Sequence, residues 1–461
     1  MSVNIVEKGA QACLDYNELL WPQLHYDSSI IEKRYETFYP VSSINQSLQE
    51  NTVVTFDLPR TVANVFYDLT DMYLTMYVQL EPVNPSEPIE DTENTGIAPN
   101  FTNTLMRSIT YYWNNVCIQS VTENVLWSWF YYLLNVDKGA KEKYLVPMGF
   151  GAEEEGHYDY CHKDNKAWDN RRKFFGGYTQ TGSSFKFQYE KGRVAKFKMK
   201  FQHFIKCSFV PESVNTKIMI ELNNYKYGLM CDSSAKKRKL VIKQLQLTVM
   251  TKFIPVLMYK SIRSRWEKEP VYFHYNRYEI KKYICAPPAN KFFFNYLTDG
   301  FTVSKVFLFY QSQKRYEGSQ SLSPFKFERS FKGQTEKTPA ILKRTTFVLN
   351  TQNRTDYIVD HDQDHDAYLN VCEMLNYFNE RSIFDISYSE FMSQNYFVSL
   401  DLSVSKTQDN YLVPLTRKGN LGVEIEFTAP LNESVMCFVV TEISSALYAN
   451  VSGAVENKNL A

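Results

Sequence analysis

The stretch Gly419-Asn420-Leu421-Gly422-Val423-Glu424-Ile425-Glu426-Phe427, continuing through Ala429-Pro430-Leu431 to Ser434-Val435-Met436-Cys437-Phe438-Val439-Val440, decides how this chain is read. Val423, Ile425 and Phe427 alternate with Glu424 and Glu426, the period of two that marks a strand with one buried face. From Val435 to Val440 the apolar run is continuous, as expected of a strand covered on both faces. A Pro-containing turn separates the two, so the expectation is a closing β-hairpin.

The same periods recur outward from this pair. Lys196, Lys198 and Lys200 alternate with Phe197, Met199 and Phe201, predicting a strand that is basic on one side and buried on the other. Further strands are expected at 53–58, 72–80, 109–121, 217–222 and 240–253. After Pro270 a second series follows at 278–285, 291–296, 302–311, 342–349 and 395–402. Helices are expected at 124–136 and 368–378, with a basic helical connector at 254–270. Residues 81–104 and 148–184 are polar and punctuated by Pro or Gly, and are read as exposed loops. The chain is therefore read as all-β, each half holding many strands, long loops and a few short helices, an arrangement that fits two jelly-roll β-barrels in tandem. Its expected divisions are an N-terminal arm (1–38), a first jelly roll (39–253), the connector (254–270), a second jelly roll (271–448) and a C-terminal tail (449–461).

Composition agrees with that class. In 461 residues there are 33 Tyr and 32 Phe, which favour strands and fill the space between packed sheets. Lys plus Arg equals Asp plus Glu, 51 against 51, so the basic surplus of a protein that coats nucleic acid is missing. Sequence-specific nucleic-acid binding is not expected. Neutrality suits a surface that packs beside copies of itself. The eight cysteines are scattered without a CxxC pair, and several lie in apolar runs as small hydrophobes, which points to a reducing compartment. The N-terminus lacks a secretory pattern, and the longest apolar run, Val125 to Leu134, is too short to span a bilayer.

Several segments resemble the double jelly-roll major capsid proteins of Polinton-like and adintovirus-like DNA viruses, distant relatives of the adenovirus hexon. They are Tyr39-Pro40-Val41-Ser42-Ser43 with Val54-Thr55-Phe56-Asp57-Leu58-Pro59, Tyr67-Asp68-Leu69-Thr70-Asp71-Met72-Tyr73-Leu74, Tyr283-Ile284-Cys285-Ala286-Pro287-Pro288-Ala289, Gly300 to Phe309, Ser323-Pro324-Phe325-Lys326-Phe327, and the closing pair. After Val440 the chain departs from the family's usual ending and reads Thr441-Glu442-Ile443-Ser444-Ser445. The resemblance implies two lobes side by side, three chains forming a pseudo-hexameric trimer, and trimers tiling an icosahedral shell. The implied partners are the chain itself, neighbouring trimers, and penton and minor capsid proteins. The implied location is the virion, with the host nucleus or cytoplasm during assembly. No catalysis and no cofactor are implied.

Three constellations carry other possibilities. Asp362, Asp364, Asp366 and Glu373 stand at calcium-loop spacing, but Ala367 replaces the glycine that the sharp turn needs. The competing expectation is an acidic loop whose Asp366 caps the following helix. Lys236, Lys237, Arg238 and Lys239 form a basic run that reads either as a nuclear import signal or as a solvated loop tip. His157, Cys161 and His162 have zinc-ligand chemistry without a second pair at the right distance. No phosphate loop, GxSxG or HExxH is present. The alternative to a shell protein is a tandem β-sandwich that binds glycans or a receptor.

Overall fold

The computed structural model describes residues 30–41, 52–86, 95–151, 156–181, 184–201, 207–231, 238–295, 297–298, 303–335, 338–350, 352–361, 365–375, 386–402 and 419–459. The expected arm up to residue 29, Lys236, Lys237, Asp362, Asp364, the Gly300–Thr302 part of the family-like strand and the last two residues of the tail lie outside the described residues.

The first lobe is built from β1 (Glu32–Phe38), β2 (Val53–Leu58), β3 (Val65–Pro82), β4 (Thr95–Ile97), β5 (Met106–Trp113), β6 (Val116–Val121), β7 (Gly176–Thr181), β8 (Ser184–Tyr189), β9 (Val194–Lys200), β10 (Thr216–Leu222), β11 (Leu229–Cys231) and β12 (Arg238–Phe253). Two four-stranded antiparallel sheets, ordered β1-β12-β3-β9 and β2-β10-β5-β6, form its walls. The second lobe holds β13 (Val271–Cys285), β14 (Lys291–Phe294), β15 (Lys305–Ser312), β16 (Ser330–Thr335), β17 (Thr338–Leu349), β18 (Gln352–Asp360), β19 (Phe397–Asp401), β20 (Leu421–Phe427), β21 (Val435–Ala449) and β22 (Val455–Asn459). Its sheets run β13-β21-β15-β19, with β22 also on β21, and β14-β20-β17-β16, with β18 also on β17. Among the described strands every ladder stays inside 32–253 or inside 271–459.

Eight α-helices accompany the strands among the described residues: α1 (Phe101–Thr104), α2 (Asn124–Asn135), α3 (Lys138–Tyr144), α4 (Lys166–Arg172), α5 (Val256–Trp266), α6 (Gln313–Tyr316), α7 (His365–Met374) and α8 (Tyr388–Gln394). The expected connector is α5, and the expected aromatic helix is α2.

The closing pair is not a hairpin. β20 lies between β14 and β17 in one sheet, whereas β21 lies between β13 and β15 in the other. The segment 428–434 arches across the barrel. The inward phase read from the sequence holds all the same: Val423, Ile425 and Phe427 are buried and Glu424 and Glu426 are half-buried. An arch and a hairpin place the same residues inward, so alternation alone cannot separate them. Successive strands that change sheet are the mark of a jelly roll, and β2 to β3, β9 to β10 and β14 to β15 do the same.

Other expectations change in detail. The strand read over 109–121 is two strands, because Asn114 and Asn115 adopt φ of 44° and 69° and make a two-residue turn between β5 and β6. That turn needs two left-handed residues, which asparagine tolerates. Glu32–Phe38, allotted to the arm, pairs along β12, and Val455–Asn459, allotted to the tail, pairs along β21. Part of the expected exposed loop 81–104 is core: Ile97 and Phe101 are fully buried. The 148–184 excursion also folds inward, burying Phe150, Tyr158, Trp168 and Arg171. Its polar residues are used in place. Asn165 caps α4 by accepting from the Trp168 N–H, and Arg171 Nε donates to the Ile97 carbonyl at 2.9 Å.

Candidate assembly interface

What a tandem pair of barrels can do depends on whether the lobes move independently. Here α2 decides it. Its sequence, NVLWSWFYYLLN, is apolar on all sides, and ten of its twelve residues are buried. A helix of that kind must be covered all round. The first lobe supplies α2, and the second lobe supplies much of its cover. Phe130 meets Phe307 and Phe309 of β15 at ring-centroid distances of 4.7 and 4.3 Å and Phe397 of β19 at 5.4 Å. Trp129 stacks between Phe150 of its own lobe at 5.2 Å and Phe325 of the other at 4.6 Å. Trp127 lies 4.1 Å from the Tyr278 ring. Edge-to-face and offset aromatic contacts of this kind add to the area they bury.

Polar contacts pin the same junction. Arg315, in α6, is 3% exposed and reaches Asp159 of the first lobe with Nη1–Oδ1 at 2.5 Å and Nη2–Oδ2 at 3.1 Å. Its Nη1 also donates to the Ser323 carbonyl at 2.8 Å, and its Nη2 to Glu328 at 3.3 Å. The Ser323 N–H donates to Asp159 at 2.7 Å. Burial pushes the Asp159 carboxyl up, but the Arg315 hydrogen bonds and charge outweigh it and hold the group below its usual range. For Arg315, burial works against the cation, and Asp159 and Glu328 more than restore it. At the opposite side of the junction Tyr275 Oη lies 2.8 Å from the Ile118 carbonyl, and Asn114 Nδ2 donates to the Gly453 carbonyl at 2.7 Å. Lys282 pairs with Glu123 at 3.0 Å.

A second feature is an internal carboxylate. Glu442 of β21 accepts from Tyr278 Oη at 2.7 Å and from Ser304 Oγ at 3.0 Å. Glu442 belongs to the segment where the sequence departs from the family's usual ending, and its place in a buried hydrogen-bonded cluster accounts for an acidic residue inside an apolar strand.

The described members of the constellations singled out in the sequence do not gather into a metal site. Asp366 and Glu373 both lie on α7, Asp366 in its first turn rather than at the capping position. Arg238 is the first residue of β12 and is buried, while Lys239 is half-buried. Cys161 packs with Ala98, Trp168 and Met230 in a small cluster, and His162 pairs with Asp164 at 3.0 Å. Among the described residues no three His, Cys, Asp or Glu side chains gather as a metal site. No described helix is long and apolar enough to cross a membrane. The Lys196/Lys198/Lys200 face is as expected: the lysines lie outside, with Lys198 4.0 Å over the Tyr73 ring.

The lobe junction itself was not read from the sequence. Its signal was present in the all-round apolar character of Val125–Leu134, which demands two covering surfaces rather than one.

With two sheet-swapping barrels joined side by side, the architecture can be placed among known ones. The chain has the double jelly-roll fold. It is similar to a chain of the Sputnik virophage solved by cryo-EM, with a TM-score of 0.62 and 10% identity, covering 95% of this chain and 90% of that one. Faustovirus major capsid protein is similar at a TM-score of 0.54 and 7% identity, covering 97% of each chain. Mavirus major capsid protein follows at 0.52 and 10% identity, covering 97% of this chain and 95% of that one. No family model and no curated protein sequence matches the chain. At such identities the likeness is one of fold, carried over nearly the whole length of each chain.

Proposed function

We propose that the chain is a major capsid protein whose homotrimers form pseudo-hexameric capsomers in the icosahedral shell of a double-stranded DNA virus or virus-like element, of the Polinton and adintovirus-like lineage. The observation that carries this reading is the lobe junction. Phe130 and the Arg315–Asp159 pair join the two barrels into one body. Three such bodies around an axis present six lobes, and closed symmetry buries the flanks. The full-length similarity to capsid proteins of the same two-barrel plan supports it. In this reading the chain performs no catalysis. Its partners are two further copies, neighbouring trimers, and penton and minor capsid proteins, and it resides in the virion after assembly in the host nucleus or cytoplasm. Negative-stain imaging of the purified chain tests it: hexagonal outlines are expected, and single two-lobed particles would oppose it.

One observation favours a binding module instead. A groove of about 740 Å³ beside β14 and β20 is lined by Phe292, Phe293, Asn350, Asn420 and Glu424, with Phe293 53% exposed. An aromatic platform with amide side chains suits a sugar ring. Binding of glycans by the isolated chain, lost in F293A, would support that reading.

A further inference from the structure

α5 is held to the body by one stripe. Tyr259 Oη donates to Glu212 at 2.7 Å, Arg263 pairs with the same carboxylate, and Trp266 Nε1 donates to the Ala449 carbonyl at 2.9 Å. These residues are spaced i, i+4 and i+7, so they share a face. The rest of the helix is uncovered among the described residues. Leu257 is 81% exposed and Val256 is 56% exposed. Two other segments bring exposed apolar side chains to the same end of the first lobe. The Ile31 N–H donates to the Phe253 carbonyl at 2.8 Å, and Asn64 exchanges hydrogen bonds with Ile254, which places Val62 nearby. Ile31 is 66% and Val62 is 71% exposed. Isolated exposed hydrophobes need no account, but four converging on one end of a β-strand mark a docking surface.

The chain itself supplies a candidate to cover it. Twenty-nine residues precede the described structure, and they enter at Ile30 and Ile31, beside Phe253 and hence beside the start of α5. They include Ile5, Val6, Leu19, Leu20 and Trp21. They also carry Glu7, Asp15, Glu18 and Asp27 against the single basic residue Lys8. α5 carries Lys260, Arg263 and Arg265 and no acidic residue. Apolar content and opposite charge thus match on the two sides. Reach is not limiting: 29 residues extend to roughly 100 Å at most, against roughly 16 Å for an eleven-residue helix. A tethered segment also meets its site at an effective concentration on the order of millimolar.

We propose that residues 1–29 dock in cis on this end of the first lobe, covering Leu257, Val256, Ile31 and Val62 and setting their carboxylates against Lys260 and Arg265. None of these four side chains is among the lobe-junction residues described above, and the proposal does not require trimer formation.

Two measurements on the full chain test it. In hydrogen exchange, amides of 256–262 are compared between the full chain and one lacking residues 2–29. At least tenfold faster exchange on deletion is expected, and equal exchange would overturn the proposal. In the second, L257C is oxidised with a mild added oxidant and run on a non-reducing gel. A link to the native Cys13 within one chain, at monomer mobility, is the expected result. A dimer band carrying that link would assign the segment to a neighbouring copy and overturn docking in cis, as would absence of the link. Leu257 is exposed, so the substitution leaves the fold intact.

Discussion

The guanidinium of Arg315 in the second lobe grips the carboxylate of Asp159 in the first through two contacts, 2.5 and 3.1 Å long, in a site where the arginine side chain is 4% exposed. A buried pair in this geometry is costly to break from one side, because the remaining charge has no solvent to return to. R315M is expected to destabilise the chain by about 3–5 kcal/mol. R315K, which keeps the charge but loses the fork, should fall in between. Urea unfolding checks both, and an unchanged midpoint in R315M would remove the pair from the account.

The same carboxylate gives a pH dependence with a definite sign. Burial raises the Asp159 pKa, but Arg315, the Ser323 N–H and Lys326 together lower it below the usual 3.8. A carboxyl whose folded pKa is depressed contributes stability in full above its unfolded pKa and loses it as pH falls through the folded one. The contribution is therefore complete above about pH 5 and is lost progressively as pH falls below about 4 and through the depressed folded pKa. In D159N the acid limb of the stability profile should be shallower than in the unaltered chain.

Phe130 is fully buried and touches three phenylalanines of the other lobe. F130A should cost about 3–5 kcal/mol. Because the loss falls between lobes, calorimetry is expected to show one transition splitting into two. A lower Tm with a single sharp transition would place the side chain's effect inside one barrel.

Val423 and Glu424 are neighbours with opposite roles. Val423 is fully buried in β20 and Glu424 faces outward. V423D puts a charge into the second barrel at a cost of several kcal/mol and should leave little soluble chain. E424Q should stay within about 0.5 kcal/mol of the original. Equal yields for the two would contradict the strand phase.

The described cysteines are free thiols, and Cys117 alone among them is exposed. Burial pushes Cys207 and Cys285 up to about 12 and Cys437 well above its usual value. In the native chain these three should resist alkylation at pH 8 while Cys117 reacts, and all should react in urea. Mass mapping of labelled peptides reads the result directly.

How far the residues announce this architecture depends on the kind of contact. Strand phase was legible wherever one face is buried, as at Val423–Phe427 and Lys196–Lys200, because a period of two follows from the pleat alone. Sheet membership was not. Phe427 and Val435 look the same to a pattern whether the segment between them folds back in one sheet or arches to the other. Glu32–Phe38 lacks the signal because it is exposed on both faces up to Phe38, and Val455–Asn459 lacks it because only Val455 on its inward face is apolar. The polar segment 148–184 was read as loop for a related reason. Arg171 and Asn165 are buried by virtue of partners at Ile97, His157 and Tyr160 that only the folded chain supplies. The junction helix was legible as a helix, but not as the piece that joins two barrels.

The central claim is that this two-lobed body is the unit of a trimeric capsomer. Light scattering on the purified chain, across a range of protein concentration and salt, tests it most directly. A species of three chain masses that persists on dilution is the predicted result. A monomer at every concentration and salt would contradict it.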